Sequence, residues 1–494
     1  MRWDIAIPIL LMFATMFPVA YLAVRRSRKQ QNKTSGYYLG GRSLGPWVLI
    51  FTVLASAASA GTFIGTAGLT NAQGYGWVWG AVMQVPSAVI ALGLVGKKYA
   101  IVARKLNLIT FTDFFKERYE SRVVTFLTSI CMVIFLVAYM VAQFVGGARV
   151  LESITGINYF LLVVIFAGVV ALYTAFGGFL AAAFTDAAQG IIMFVGGVAL
   201  WIVVLTAVGG FAEIETGTKA LDGDLYTLPG ASGFDLSMMI SYAVMFGLLL
   251  SCLPHVSVRA MSYRDSAALH KALIIGPTLM VVFTLGFGAM GLIGRVMYPD
   301  AELADMVLPT LIIDHLPGPL AGAVLAAPLA AVMSTVDSMI LVVSATLVRD
   351  LYRGFVKPNL SDKAQSTAGT WTSLGIGIIV LVLALRPPAF LQHIINFAIG
   401  GLEAGLFVPL ILGLYWKRGN ALGAILALIG GMLYYLLAAS FFPVLAFGMM
   451  PVLMATVCSL VLYVVAGFVG PRPSHRAIVK FWGTQKAIDD LRTV

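Results

Sequence analysis

Four ionisable side chains stand inside stretches that are otherwise apolar: Arg149 in GGARVLE, Asp186 in AFTDAAQG, Asp337 in MSTVDSM and Glu403 in GGLEAG. A charge in hydrocarbon is costly, so each position either pairs with another group or serves a function. Arg149 has Glu152 one turn away at i+3, the spacing of a structural ion pair. Around Asp337, the residues Ala331, Ser334, Thr335 and Ser338 follow i, i+3, i+4, i+7 and form one helical stripe. Two readings fit small residues and hydroxyls on one face. One is close helix packing, with the hydroxyls bonded to the preceding turn. The other is a site for a hard monovalent cation, whose hydration shell is replaced by hydroxyl and freed carbonyl oxygens. Asp186, at the start of a span, likewise reads either as a helix cap or as a functional intramembrane carboxylate. The chain shows no GxSxG elbow, no Walker loop, no phosphate cradle and no His/Cys cluster with metal-ligand spacing. Cys131, Cys252 and Cys458 all lie in apolar segments and give no disulfide framework. Nothing here forms a catalytic constellation, which points away from an enzyme.

Composition fixes the elements that must hold these residues. Of the 494 residues, 60% are hydrophobic and 11% charged, whereas a soluble domain carries roughly 25% charged residues. The apolar residues fall into runs of about 20, the length that crosses a bilayer as a helix. The period-two alternation of a barrel is absent. Thirteen spans are expected, at 4–24, 46–70, 77–96, 122–151, 157–177, 184–208, 237–255, 272–297, 317–347, 369–386, 390–416, 420–440 and 444–469. Arg25, Arg26, Arg28, Lys29 and Lys33 follow the first span, which puts the N-terminus outside and, after thirteen crossings, the C-terminus in the cytoplasm. The loops then assigned inside hold 27 of the 32 Lys and Arg residues. The outer loops are acidic, with Glu213, Glu215, Asp222, Asp224 and Asp235 in one and Asp300, Glu302 and Asp305 in another. The net charge of +10 therefore reports orientation and anionic lipid rather than a nucleic-acid partner. The first run, Ile5 to Val24, has its basic flank after it and no small-residue cleavage site, so it reads as a span and not a cleaved signal. Thr110 to Tyr119 reads as an amphipathic connector helix at the cytoplasmic surface.

Spans two to six start inside and end outside, and spans seven to eleven do the reverse. Two five-helix blocks of inverted topology are thus expected, the plan of many secondary transporters, which bind near the midplane where helices break. Span two carries a matching interruption at Ala60, Gly61, Gly65 and Gly68. Leu253-Pro254 at the end of span seven and Pro328 in span nine are weaker marks of the same kind. The expected organisation is a first helix with a basic loop at 1–45, a first repeat at 46–208 and an outer loop at 209–236. A second repeat at 237–416, two accessory helices at 417–470 and a cytoplasmic tail at 471–494 complete it. The tail of 24 residues after Gly470 leaves no room for a soluble domain.

Tyr173 to Ala181 (YTAFGGFLA), with its spacing back to Gly156, and Gly413 to Leu433 (GLYWKRGNALGAILALIGGML) resemble the two sequence signatures of the sodium:solute symporter family. YYLGGRSLG before span two, TxxDFFxxRY after span three and PHVSVR after span seven resemble the same family, and the likeness covers nearly the whole chain. AQFVGGAR at Ala142 to Arg149, GKKYAIVAR at Gly96 to Arg104 and LAAVMST at Leu329 to Thr335 are most similar to its sodium/pantothenate branch. The resemblance implies an all-α LeuT-type fold, with accessory helices at both ends, and Na+ as the coupling ion. Carried onto this chain, it implies a sodium site from the carbonyls of Ala55, Ala58 and Ala331 and the hydroxyls of Ser334 and Thr335. It implies a possible second sodium at Asp186, Ser334, Asp337 and Ser338, where Asp337 departs from the hydroxyl or small residue usual in the family.

For the solute, Ser59 and Thr62 on the broken span, Trp77 and Gln84 on span three and Tyr139 and Gln143 on span four could face one central cavity. Plain helix packing fits each of them as well. The expected partners are sodium, the bilayer and a small carboxylate such as pantothenate, with other monocarboxylates or a proline-like amino acid as alternatives. No nucleic acid or obligatory protein partner is expected. Two other classes were weighed: an ion-translocating subunit, which needs chains of intramembrane Lys, Glu or His that are absent, and a sensory membrane domain, which needs a signalling module. The expected location is the plasma membrane, the inner membrane of the cell.

Overall fold

The computed structural model of the chain describes residues 2–31, 34–39, 42–229, 235–299, 306–386 and 391–483. Lys33, the acidic positions Asp300, Glu302 and Asp305, and the tail after Gly483 lie outside the described residues. The described chain is helical, with no strand. Ten helices are long and apolar enough to cross a bilayer, or eleven when one bent pair counts as a span, against the thirteen expected. Two features account for the difference. Tyr159–Val208 is continuous over 50 residues but is broken internally at Gly178, whose φ of +63° favours glycine. Leu236–Cys252 is apolar but short, and Pro254 starts a new helix directly after it.

The elements that matter below are α1 (Pro46–Ala57), α2 (Gly61–Gln73), α3 (Tyr75–Leu106), α4 (Arg122–Thr155), α5 (Tyr159–Val208), α6 (Leu236–Cys252), α7 (Pro254–Met261), α8 (Ser266–Met297), α9 (Gly318–Ala345), α10 (Leu391–Tyr415) and α11 (Ala421–Ser440). Helix α9 is the axis of the molecule. It packs on α1, α4, α5 and the first helix, Trp3–Gln31. Of the apolar window in the span it begins, 94% is enclosed, against 33% for the first helix and 39% for α11. A helix that is apolar all round belongs in a core, whereas Phe176, Val195 and Ile378 on the outer helices are exposed, the arrangement lipid requires. Pro328 does not break α9, which runs through it as one helix.

Span two is broken. Helices α1 and α2 meet at a 60° bend, and between them Ala58 is extended (φ −81°, ψ 132°). The break is held by local polar groups. The Ala60 N–H donates to Gln143 Oε1 (2.9 Å), the Gly61 N–H to Ser59 Oγ (3.1 Å) and the Ser59 N–H to Thr62 Oγ1 (3.2 Å). A Cβ at Gly61 or Gly65 would stand 2.9 Å or 2.0 Å from Gln392 Oε1 of α10, so that amide packs into the space the two glycines leave.

The connector expected at Thr110 to Tyr119 forms a helix, with one face packed into the protein. Phe111–Tyr119 is capped by Thr110 and Asp113 in a capping box, and Phe111, Phe114 and Phe115 are fully buried. Its Arg118 donates to the carbonyls of Gly413 (2.8 Å), Trp416 (3.0 Å) and Gly419 (2.9 Å), closing the end of α10. The Arg149–Glu152 pair forms as the i+3 spacing predicts, at 2.8 Å and half-exposed.

Candidate cation and solute site

The break in span two frees carbonyls that an unbroken helix would use. The Ser334 hydroxyl of α9 donates to Ala55 O (2.8 Å) and Ala331 O (3.0 Å). The Thr335 hydroxyl donates to Ala58 O (3.0 Å) and Ala331 O (2.8 Å). Ala55, Ala58, Ala331, Ser334 and Thr335 are thus brought into one cluster of neutral oxygens, with all five residues buried. Hydroxyls and carbonyls of this kind suit a hard cation, because each offers lone pairs and none carries a charge to neutralise.

One turn along α9 the character changes. Asp186 of α5 and Asp337 are both buried, and so is Ser338. Tyr173 donates to Asp337 Oδ2 (3.1 Å), and Ser338 sits within hydrogen-bond distance of Asp337 Oδ1 (3.1 Å) and donates to Ser334 O (2.5 Å). A residue outside the sequence-derived site enters here. Arg259 of α7 is 2% exposed and donates from Nη2 to Asp186 Oδ2 (2.5 Å) and to Ser338 Oγ, from Nε to Thr52 Oγ1 (3.0 Å) and from Nη1 to His255 O (2.9 Å). Thr52 in turn donates to Asp186 Oδ2 (2.8 Å). The protein's own guanidinium therefore stands between Asp186 and Ser338. Arg259 is visible in the sequence, in PHVSVR, but nothing in local spacing links it to Asp186, 73 positions away.

A cavity lies beside the break. Ser59, Thr62, Gln84 and Tyr139 line it, as expected from the sequence. Trp77 does not. It packs edge-on against Tyr242 (4.6 Å) and Phe246 (5.9 Å) of α6. Gln143 holds the Ala60 N–H and does not line the cavity either. His255, Ser87 and Gln392 line it and were missed. Gln392 is legible only once the fold is known: its amide donates to Asn396 Oδ1 (2.9 Å), and its own carbonyl oxygen faces Gly61 and Gly65 with no partner among the described residues. Apolar walls come from Leu253, Ile395 and Ile399. The cavity measures about 50 Å³, whereas ligand pockets run to roughly 300–1,000 Å³. The helices around it must part before an organic solute can bind.

Comparison with known proteins agrees with this geometry. The profile of the sodium:solute symporter family matches residues 37–431. The sodium/pantothenate symporter of Escherichia coli (strain K12) is 37% identical over 441 residues, covering 89% of this chain and 91% of that protein. The osmoregulated proline transporter of Bacillus subtilis (strain 168) is 30% identical over 508 residues, covering 99% of each. Among solved structures, a substrate-bound outward-open Na+-coupled sialic acid symporter superposes with a TM-score of 0.80 at 20% identity, over 95% of this chain and 99% of that one. A nucleobase-cation-symport-1 transporter in a closed conformation gives 0.56 at 16% identity, over 91% and 98%. These two share the LeuT-type fold with this chain. With a broken second span facing a buried hydroxyl stripe, and with relatives matched over most of its length, the chain belongs to the sodium:solute symporter family, the Na+-coupled membrane transporters of small organic solutes.

Proposed function

We propose that this symporter carries a small carboxylate of the pantothenate type into the cell, driven by sodium bound at Ala55, Ala58, Ala331, Ser334 and Thr335. Two relatives named as sodium/pantothenate symporters, 37% and 36% identical over most of the chain, carry the choice of solute. The cavity chemistry supports it. The positive end of α2 points at the cavity through Ser59, Gly61 and Thr62, which favours an anionic group. Gln84, Ser87, His255 and Gln392 offer partners to amide and hydroxyl groups, and Leu253, Ile395 and Ile399 receive an apolar body. A proline-like amino acid is the second reading, favoured by the relatives named as proline transporters at 30% identity.

Sodium at the neutral cluster draws α1 and α9 together and so sets the break in span two for the solute. Repeats at 46–208 and 237–416 then rock about the bound pair, with the N-terminus outside and the C-terminus inside a plasma membrane. A second sodium at Asp186, Ser334, Asp337 and Ser338 enters when the Arg259 guanidinium withdraws. Sodium-driven uptake of labelled pantothenate into membrane vesicles, with excess short-chain monocarboxylates and proline as competitors, tests the solute. Uptake of a neutral sugar that none of these competes with would sink the carboxylate reading.

A further inference from the structure

Glu403 stands at the middle of α10, 12 residues from its first residue and 12 from its last. Its side chain is fully buried, and neither carboxyl oxygen has a hydrogen-bond partner among the described residues. The ionisable groups near enough to interact with it are the phenol of Tyr139 on α4, the thiol of Cys252 at the end of α6 and the phenol of Tyr435 on α11. The other neighbours of α10 add no group that acts on it, and no lysine, arginine, histidine or second acid does so among the described residues. The Tyr435 hydroxyl is already committed to the carbonyls of Asn396 (3.3 Å) and Phe397 (3.0 Å). An ionised carboxylate in this position is unsolvated and unpaired, which costs far more than keeping its proton.

Position on the helix connects this carboxyl to the solute cavity. Gln392, Ile395 and Ile399 line the cavity, and Glu403 follows at i+11 from Gln392 on the same face of α10. Tyr139 lines the cavity and also faces Glu403, and Cys252 adjoins the lining residue Leu253. Glu403 therefore lies one turn beyond Ile399, on the face of α10 that floors a space that must open to admit a solute. A metal site gathers several ligands, and among the described residues no group of His, Cys, Asp and Glu that could hold a metal ion includes Glu403. A proton needs one.

We propose that Glu403 is a proton-binding site coupled to the opening and closing of the solute cavity. When the cavity is closed, as here, the carboxyl is neutral and carries one proton on a carboxyl oxygen. When the cavity opens and water reaches the floor, the O–H bond breaks heterolytically, the proton passes to water and the carboxylate is solvated. Closing takes one proton back. The proton is bound and released with no redox change, and the sodium cluster is not involved. This rests on the symporter reading for its cycle, but the site itself does not depend on which solute is carried.

Infrared spectra of the purified protein in lipid with sodium chloride alone, at about pH 6 and about pH 8, test the site without any solute. A protonated-carboxyl band is expected that persists at the higher pH and is missing in both Glu403→Gln and Glu403→Leu. A spectrum in that region unchanged by either substitution overturns the proposal. Sodium-driven uptake of labelled pantothenate tests the coupling. The wild type should slow as pH rises, approaching roughly tenfold per unit on the alkaline limb, while Glu403→Gln should lose that dependence. The same pH profile in both proteins overturns the coupling. Failure of pantothenate to be carried by any variant counts against the solute assignment alone, and the infrared comparison then decides the proton site.

Discussion

Two clusters sit one turn apart on α9, and they are built from opposite materials. The Ser334–Thr335 cluster is made of neutral oxygens, each hydroxyl held by two carbonyls. The Asp186–Asp337 cluster holds two carboxylates and is already supplied with a cation, the Arg259 guanidinium. The difference separates binding from holding. Neutral dipoles around a small ion replace its water without trapping it, which suits an ion that must be released every cycle. A buried carboxylate paired with a covalently tethered guanidinium is a lock, because removing either partner leaves a bare charge in a low-dielectric setting.

The largest effect should come from breaking the lock. Arg259→Ala leaves Asp186 buried without its main partner, and about 3–5 kcal/mol of stability should be lost. Thermal unfolding in detergent measures it. Adding Asp186→Asn to Arg259→Ala should restore much of that loss, since the pair then leaves no bare charge. An Arg259→Ala protein as stable as the wild type shows that the guanidinium is not a structural lock. The next largest effect should strike both clusters together. Gly190 of α5 faces α1, and a Cβ there stands 2.7 Å from the Phe51 carbonyl, a backbone atom that cannot step aside. Gly190→Ala should cost roughly 1–3 kcal/mol and weaken sodium dependence and stability in parallel. A change in one without the other separates the clusters mechanically.

Half of the neutral cluster was legible in the sequence as a local stripe, whereas its partners Ala55 and Ala58, 279 and 277 positions away, followed only from the family resemblance. The i, i+3, i+4, i+7 stripe places Ser334 and Thr335 side by side, and the glycines of AGTFIGTAG announce the break whose carbonyls they meet. The lock was not legible, because its parts come from α1, α5, α7 and α9 and only the fold joins them. Chain order likewise could not tell Gln84, which lines the cavity, from Trp77 one helix-turn pair earlier, which packs behind it. Gln392 and His255 carry no local mark at all: a polar residue near the end of a span looks the same whether it faces water, a neighbour or a solute. The fold class needed less information, since runs of about 20 apolar residues already dictate helices that cross a bilayer.

Within the neutral cluster the effects should be smaller and should fall on binding, not folding. Ser334→Ala and Thr335→Ala each remove one oxygen from a dehydrated ion, worth roughly 1.5 kcal/mol or about tenfold. The sodium concentration for half-maximal uptake should rise accordingly, with unfolding temperature near the wild-type value. Unaltered sodium dependence in both variants removes this cluster from the ion path. The contrast with Arg259→Ala is the point of the pair of experiments, because a lock loses stability first and a binding site loses affinity first.

The smallest expected effect is the most informative about whether the lock opens. One sodium moving with one monoanion carries no net charge, so the membrane potential gives no help. Two sodium ions carry one net charge, worth roughly 2.3 kcal/mol per 100 mV, or about fifty-fold in accumulation. The second ion has a place only if Arg259 leaves Asp186 and Ser338 during the cycle, and Asp337 then supplies the carboxylate nearest the neutral cluster, three residues from Ser334. Uptake should therefore be electrogenic, with a sodium Hill coefficient above one. In Asp337→Ala the coefficient should fall towards one while Tyr173 and Ser338 lose only a single partner each. Electroneutral uptake of a proven monoanion, hyperbolic in sodium, gives the opposite answer. In that case the guanidinium keeps its position throughout, and the Asp186–Arg259 pair is a permanent internal cation site that sodium never enters.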